Sequence, residues 1–141
     1  MAAFNKFQPF VENLAEKVHN LQADTLKVVL SNTAPVAANA MLADITQISA
    51  GNGYTTGGTQ AVQSSSAQIA GNYKLVLADV TYTASAGSIG PFRYPVLYND
   101  TPTSPADPLV GFWDYGVSLT LTDGNSFTVD FDLTTGILSL T

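Results

Sequence analysis

The sequence contains no cysteine and little charge. The absence of cysteine excludes disulfide bonds, thiolate metal sites and a cysteine nucleophile. Charged residues make up only 11% of the chain, whereas an average globular domain has roughly 25%. Threonine, serine, asparagine and glycine must therefore supply most of the polar surface. So little charge favours a surface that neighbouring molecules partly cover, although a hydroxyl-rich β domain fits nearly as well.

Positive charge is the scarcer sign. The chain has 5 Lys and Arg residues against 11 Asp and Glu, and residues 91–141 carry Arg93 against six aspartates, which gives that half a net charge of −5. Nucleic-acid binding requires clustered lysine or arginine to neutralise phosphates. Direct contact with nucleic acid is therefore not expected.

Long apolar runs are also missing. No run approaches the roughly 20 residues that cross a membrane, and the first residues lack the charged and apolar regions of a secretory signal. We expect no membrane association and expect the chain to be made and folded in the cytoplasm. Hydrophobic residues nevertheless reach 45% of the 141 residues, which is enough for one domain with its own core.

The N-terminal residues carry the pattern of an amphipathic helix. Apolar residues recur there at spacings of three and four, at Phe7, Phe10, Leu14, Val18 and Leu21. Pro9 suits the first turn, where its missing N–H is not needed. We predict a helix over about residues 7–20, in an N-terminal segment (residues 1–22) that either packs on its own domain or docks on a neighbour as an arm.

From Thr25 onward the apolar period falls to two, which is typical of strands. A change of phase at Ala78–Asp79 predicts one long strand with a bulge at that point. Apolar residues alternate over residues 117–121 and 127–133, on either side of Asp123–Gly124, which predicts an antiparallel hairpin. These patterns, without any βαβ rhythm, predict an all-β fold: a jelly-roll-like antiparallel β-sandwich over residues 23–141, preceded by the one short helix.

Candidate catalytic groups are few. His19 is the sole histidine, and no nucleophile elbow accompanies it, so a histidine at the C-terminal end of the helix is the simpler interpretation. Asp130 and Asp132 share one face of a predicted strand, but a hydrolytic carboxylate pair must flank a bond in a cleft, and these are predicted on an exposed face. A calcium ion that bridges them with Asp123 or with a neighbouring subunit is the open alternative. The sequence predicts no catalytic site, no cofactor and no metal site, and therefore no enzyme.

Aromatic residues and prolines concentrate between Phe92 and Tyr115. This stretch holds six of the 14 aromatic residues, namely Phe92, Tyr94, Tyr98, Phe112, Trp113 and Tyr115. Alternating rings in paired strands are usually core, but Trp113 and Tyr115 stand at a strand end, where a core and an interface are equally expected. The prolines of the loop over residues 99–108 predict extended and turn conformations.

The segment Gly90–Gly116 resembles small virion proteins of tailed phages, and most of all the capsid cement, or decoration, proteins. The similarity continues over Phe4–Asn20, Ala50–Tyr54 and Tyr73–Asp79. The resemblance implies a structural protein on the outer capsid surface of the virion, with the major capsid protein as its partner. It also implies a symmetric oligomer, for which a homodimer is favoured over a trimer.

In that role the chain cements contacts between major capsid proteins and stabilises the DNA-filled head. The alternative is a β-sandwich module of a tail or head fibre that binds host glycans on Trp113 or Tyr115. The candidate subunit or capsid contacts are Phe4, Phe7, Phe10, Pro102, Pro105, Pro108, Trp113 and Tyr115.

Overall fold

A computed structural model describes residues 2–141 of the chain, which form twelve β-strands and one α-helix. The helix, α1, spans Gln8–Ala15. The strands are β1 Asn5–Lys6, β2 Leu26–Ser31, β3 Thr59–Gln60, β4 Gln63–Ile69, β5 Asn72–Leu77, β6 Val80–Thr83, β7 Ile89–Phe92, β8 Tyr94–Asn99, β9 Leu109–Phe112, β10 Leu119–Leu121, β11 Ser126–Val129 and β12 Leu138–Leu140. The predicted all-β class is confirmed, whereas the jelly-roll order of strands stays a prediction.

Two layers of antiparallel strands enclose the main core. One layer is a five-stranded sheet in the order β1-β9-β8-β2-β3. The other consists of three smaller groups, β12-β5-β4, β11-β6 and β10-β7. Both layers contribute to a single apolar cluster that includes Val28 and Leu97 from the first layer and Leu75, Tyr82 and Phe92 from the second.

The five-stranded sheet is buried on both of its faces. Its second face carries Val29, Val96 and Leu109, which pack with Phe7 and Ile45 in a separate apolar cluster. Ile45 belongs to the irregular segment over residues 32–58, which contains only a short 3-10 turn at Leu42–Asp44 and lies over the sheet as a cover. Burial on both faces explains why apolar residues are adjacent in Val28-Val29-Leu30 of β2 and in Val96-Leu97 of β8 instead of alternating with polar ones.

The helix is shorter than the predicted range of residues 7–20. Lys17 adopts a left-handed backbone with φ of 68°, and the Val18 N–H donates to the Asn13 carbonyl at 2.8 Å, which closes the helix end. The prediction is wrong at this end because the apolar spacing of Val18 and Leu21 continues past the residue where the backbone turns.

The single long strand predicted across Ala78–Asp79 is wrong, because the change of phase there separates two strands with different partners. β5 pairs with β12 and β4, whereas β6 pairs with β11. The Phe131 N–H donates to the Asp79 carboxylate at 2.9 Å. This side-chain bond takes the place of the backbone bond that a regular strand ladder would have.

The hairpin predicted around Asp123–Gly124 is wrong in its pairing. The turn is present, but β10 pairs with β7 and β11 pairs with β6, so the two flanking strands join different partners. A turn signal fixes the reversal of the chain, but long-range packing selects the neighbour.

Arg93 is the point where the chain crosses from one layer to the other, between β7 and β8. Its N–H donates to the Ser31 carbonyl at 2.9 Å, and its carbonyl accepts the Tyr115 N–H at 3.0 Å. The chain therefore bends at this residue without losing backbone hydrogen bonds.

The first and last strands lie close together. Residues 4–6 and residues 137–139 line the same shallow groove. Within residues 2–141, no helix has the length and apolar character needed to cross a membrane.

Candidate interaction surface

A row of aromatic rings runs along one end of the molecule, beyond the end of β9. Trp113 packs between Phe4, at 5.2 Å between ring centroids, and Phe131, at 5.5 Å. Beside this group, Tyr115 meets Phe127 edge to face at 5.5 Å, and Phe127 meets Phe92 at 4.9 Å. Such contacts hold the rings in fixed orientations.

Gly111 makes room for the first ring of this row. A Cβ at position 111 would overlap the Phe4 ring and lie 2.9 Å from the Asn5 carbonyl oxygen. The absence of a side chain at Gly111 therefore allows the Phe4 ring to pack against β9 and to contact Trp113.

An open groove of about 320 Å³ lies beside these rings. We call it the aromatic groove. Its lining residues are Ala2, Pro95, Trp113, Tyr115, Phe127, Thr128, Val129 and Asp130. Tyr115 lies at the edge of the groove and is 50% exposed, and Val117, two residues further on, is 61% exposed. The groove therefore has a fixed apolar wall, an exposed apolar edge and a polar side formed by Thr128 and Asp130.

An ion pair holds the backbone beneath Tyr115. Arg93 donates from Nε to Asp114 Oδ1 at 2.6 Å and from a terminal nitrogen to Oδ2 at 2.9 Å, and the Gly116 N–H donates to Oδ1 at 2.8 Å. The Arg93 guanidinium and the Gly116 N–H lower the pKa of the Asp114 carboxyl. The two-pronged contact fixes the residues on both sides of Tyr115, so the ring is presented on a rigid turn.

Several predicted contact residues are not available at the surface. Phe7 and Phe10 are 0% and 1% exposed, and both pack inside the chain's own core. Trp113 is only 8% exposed, so its faces are covered by Phe4 and Phe131. The prediction that Phe7, Phe10 and Trp113 contact a neighbouring molecule is therefore wrong, because these rings pack inside the domain. Of the two rings at the strand end, Tyr115 is the one that reaches solvent.

The proline loop lies at the opposite end of the β8–β9 hairpin. Pro102 and Pro105 are half-buried, whereas Pro108 is buried and bridges to Met41. The four residues of β9 separate this loop from Trp113 by roughly 13 Å of strand. The candidate prolines and the candidate aromatic residues therefore do not form one continuous surface.

Hydrogen bonds to other segments hold the proline loop in place. The Asp100 N–H donates to the Thr25 carbonyl at 2.8 Å, and the Leu42 N–H donates to the Asp107 carbonyl at 2.9 Å. Lys27 and Asp100 form an ion pair at 2.8 Å. Burial and the neighbouring Asp100 raise the pKa of Asp107. These bonds hold the loop in a fixed conformation at this end of the sandwich.

His19 lies beyond the helix and is buried, at 6% exposed. Asn99 Nδ2 is 3.1 Å from His19 Nδ1 and donates to Asp24 Oδ2 at 2.6 Å, so Nδ1 accepts and the proton resides on Nε2. Nε2 has no hydrogen-bond partner within residues 2–141. Burial lowers the pKa of His19, and Asp24 opposes that shift. This is a neutral packing histidine without a neighbouring nucleophile.

The two aspartates considered for hydrolysis lie outside the strand that was predicted to carry them, because β11 ends at Val129. Both Asp132 oxygens accept bonds from the turn that follows, including the Thr134 N–H at 2.7 Å and the Thr135 hydroxyl at 2.8 Å. These donors lower the pKa of Asp132. Asp130 borders the aromatic groove instead. Within the described residues, no group of three or more His, Cys, Asp or Glu side chains is arranged to hold a metal ion.

Sequence reasoning missed that Phe127 and Asp130 line the same groove as Tyr115. The alternation of Phe127, Val129 and Phe131 was a usable signal, but it predicted only the buried side of a hairpin. The pairing of β11 with β6 brings these residues beside the end of β9, and that pairing is not encoded in local spacing.

No protein-family model, curated protein or solved structure matches this chain. The support for a function comes from the residues of the aromatic groove and from the resemblance in the sequence.

Proposed function

We propose that this chain is a structural virion protein that binds the outer surface of a phage capsid. In this role it cements contacts between major capsid proteins and stabilises the DNA-filled head. The role itself comes from the resemblance of the Gly90–Gly116 segment to capsid cement proteins. The observation that supports a binding role is the aromatic groove, with its fixed wall and its exposed edge at Tyr115 and Val117.

The groove has the chemistry of a protein contact. Tyrosine and other aromatic residues are enriched in interfaces, where a flat apolar ring is buried and a hydroxyl bonds at the rim. The Arg93–Asp114 pair and the packing of Phe127 fix the Tyr115 ring before any partner arrives. Little side-chain entropy is then lost on binding, which favours affinity from a small contact area.

Cementing follows from mass action. A protein that binds the assembled shell but not free capsid subunits lowers the free energy of the shell by RT ln(1 + [L]/Kd) at each site. Because an icosahedral shell repeats the site, a modest contact at Tyr115 suffices. The net charge of −6 keeps decorated particles from adhering to one another.

The decisive experiment uses particles that lack the chain. Purified protein is added back to such heads, the bound copies per major capsid protein are counted, and the temperature of DNA release is measured. We expect saturable binding at a copy number comparable with the major capsid protein, and a higher release temperature. Heads that are equally stable with and without the bound chain would end the cementing proposal.

A matched pair of variants locates the contact. Val117→Asp places a charge at the exposed edge next to Tyr115, whereas Val36→Asp places the same charge at a valine that is 62% exposed in the cover segment, away from the groove lining. We expect Val117→Asp to weaken shell binding by about tenfold or more, equivalent to about 1.4 kcal/mol. Val36→Asp should bind normally, and equal loss in both variants would exclude the groove as the contact.

A glycan-binding module of a tail or head fibre is the second candidate. Its support is the polar side of the aromatic groove, where Thr128 and Asp130 stand beside the exposed Tyr115 ring. A sugar ring stacks on an aromatic face and bonds to such groups. Binding of the chain to host glycans that is lost in Asp130→Ala, together with a copy number far below that of the major capsid protein, would favour this function over cementing.

A further inference from the structure

β4 is the longest edge strand of the molecule. It spans seven residues, Gln63–Ile69, and it is hydrogen-bonded on one side only, to β5. The edges of the five-stranded sheet, β1 and β3, have two residues each, and β12, on the other side of β5, has three. Short edges offer little backbone for pairing, whereas β4 presents a row of unpaired N–H and C=O groups.

β4 also lacks the features that usually protect an edge. The strand reads Gln-Ser-Ser-Ser-Ala-Gln-Ile, without a charged residue or a proline. Natural edge strands are commonly blocked by lysine, by proline or by a strong bulge. The single register shift lies at the start, between Gln63 and Ser65, so Ser65–Ile69 pairs regularly with β5 and remains straight enough to pair again.

We infer that β4 is the surface through which two copies of this chain associate, side by side, as one continuous antiparallel sheet. The inference deepens the homodimer that the resemblance to capsid cement proteins implies, and it rests on the proposed function in that respect. The occupant is a second copy because two identical strands related by a two-fold axis pair the same residues reciprocally.

Self-pairing of β4 meets no charge repulsion in any register. Each opposing pair is drawn from serine, alanine, glutamine and isoleucine, although the whole chain carries a net charge of −6 and would otherwise repel its own copy. The small side chains of Ser65, Ser66 and Ala67 permit the normal strand spacing of roughly 4.8 Å. Ile69, which is 75% exposed in the single chain, would gain a neighbour near the interface.

The structure offers a closely matched test. Ala67 in β4 and Ser139 in β12 both stand directly opposite Lys74 of β5, one on each side of it. A glutamate at either position therefore gains the same favourable cross-strand partner within one chain. In a β4 dimer, however, Ala67→Glu brings two carboxylates close to the two-fold axis, whereas Ser139→Glu stays on the far edge.

Sedimentation of the wild-type chain, Ala67→Glu and Ser139→Glu over a concentration series measures the dimer dissociation constant. We expect dimers in the wild type and in Ser139→Glu, and dissociation that is about tenfold easier or more in Ala67→Glu. In the double variant Ser65→Glu/Ala67→Glu, glutamates of the two copies face each other whether the two-fold axis passes residue 65, 66 or 67. We therefore expect this variant to be monomeric. Thermal unfolding of each variant checks that the fold is retained.

The contrary outcomes separate the inference from the proposed function. A dimer that resists the double variant, or that Ser139→Glu weakens equally, overturns pairing through β4 while dimerisation stands. A wild-type chain that is monomeric at every concentration overturns the dimer altogether. Shell binding and head stability are measured independently, so the cementing proposal survives or fails on its own result.

Discussion

At the scale of single residues, His19 is unusual because it is a buried ionisable group with a nitrogen that is unsatisfied in the described part of the chain. It is buried, its Nδ1 accepts a hydrogen bond from Asn99, and its Nε2 has no partner within residues 2–141. Protonation would place an N–H against the Asn99 amide and a charge in a buried site, and Asp24 compensates for this only in part. The folded state therefore favours neutral His19 more strongly than the unfolded state does.

This difference predicts a loss of stability in mild acid. The pKa of His19 lies below its ordinary value of 6.5 in the folded protein, so the unfolded state binds the proton first as the pH falls. The contribution is fully present above pH 6.5 and decreases below it, with a slope of up to about 1.4 kcal/mol per pH unit until the folded pKa is reached. Urea unfolding between neutral pH and about pH 5 measures the slope.

His19→Asn is the control for that prediction. The asparagine oxygen can accept the Asn99 bond but does not titrate, so its unfolding free energy should lack the slope below pH 6.5. If the wild type and His19→Asn lose stability in parallel, His19 is not the group responsible, and the carboxyls must be examined instead.

At the scale of elements, local sequence predicted strands well and their neighbours poorly. The apolar pattern from Thr25 onward predicted strands, and the strands β2 and β8 confirm it. The partners of β10 and β11 could not be derived, because each pairs with a strand more than twenty residues away in the chain. The same limit applies to the aromatic groove, which forms only where distant strands meet.

The turn between β4 and β5 is strained at Ala70. Ala70 and Gly71 both have positive φ, at 52° and 84°, as in a type I′ hairpin turn, which favours asparagine followed by glycine. Alanine in the left-handed region costs roughly 1–2 kcal/mol. Ala70→Asn should therefore raise the free energy of unfolding by about 0.5–1 kcal/mol.

Ala23→Asn provides the comparison for this change. Ala23 is exposed and does not adopt a positive φ, so the same substitution there should leave the unfolding midpoint almost unchanged. A similar gain in both variants, measured by thermal unfolding, would show that the effect does not come from the turn.

At the scale of the whole molecule, the N-terminal residues are built into the sandwich. β1 pairs with β9, the Phe7 N–H donates to the Val110 carbonyl at 3.1 Å, and Phe10 joins the main core. The sequence could predict the apolar stripe of this segment but not whether it packs on its own domain, because both alternatives require the same stripe.

Two neighbouring positions of α1 measure this integration. Phe10 is 1% exposed and Val11 is 51% exposed. Phe10→Ala should lower the free energy of unfolding by about 3–5 kcal/mol, because it leaves a cavity in the core. Val11→Ala, on the same helix, should change it by no more than about 0.5 kcal/mol. Urea unfolding that finds both variants equally stable would mean that the segment behaves as a detachable arm.

The nearness of the first and last strands has a practical consequence for protein engineering. Residues 4–6 and 137–139 line one groove, so these two segments lie at neighbouring points of the molecule. A short linker could join these two points, and new ends could be opened at the exposed Ala70–Gly71 turn, giving a circularly permuted chain in which every strand keeps its neighbours.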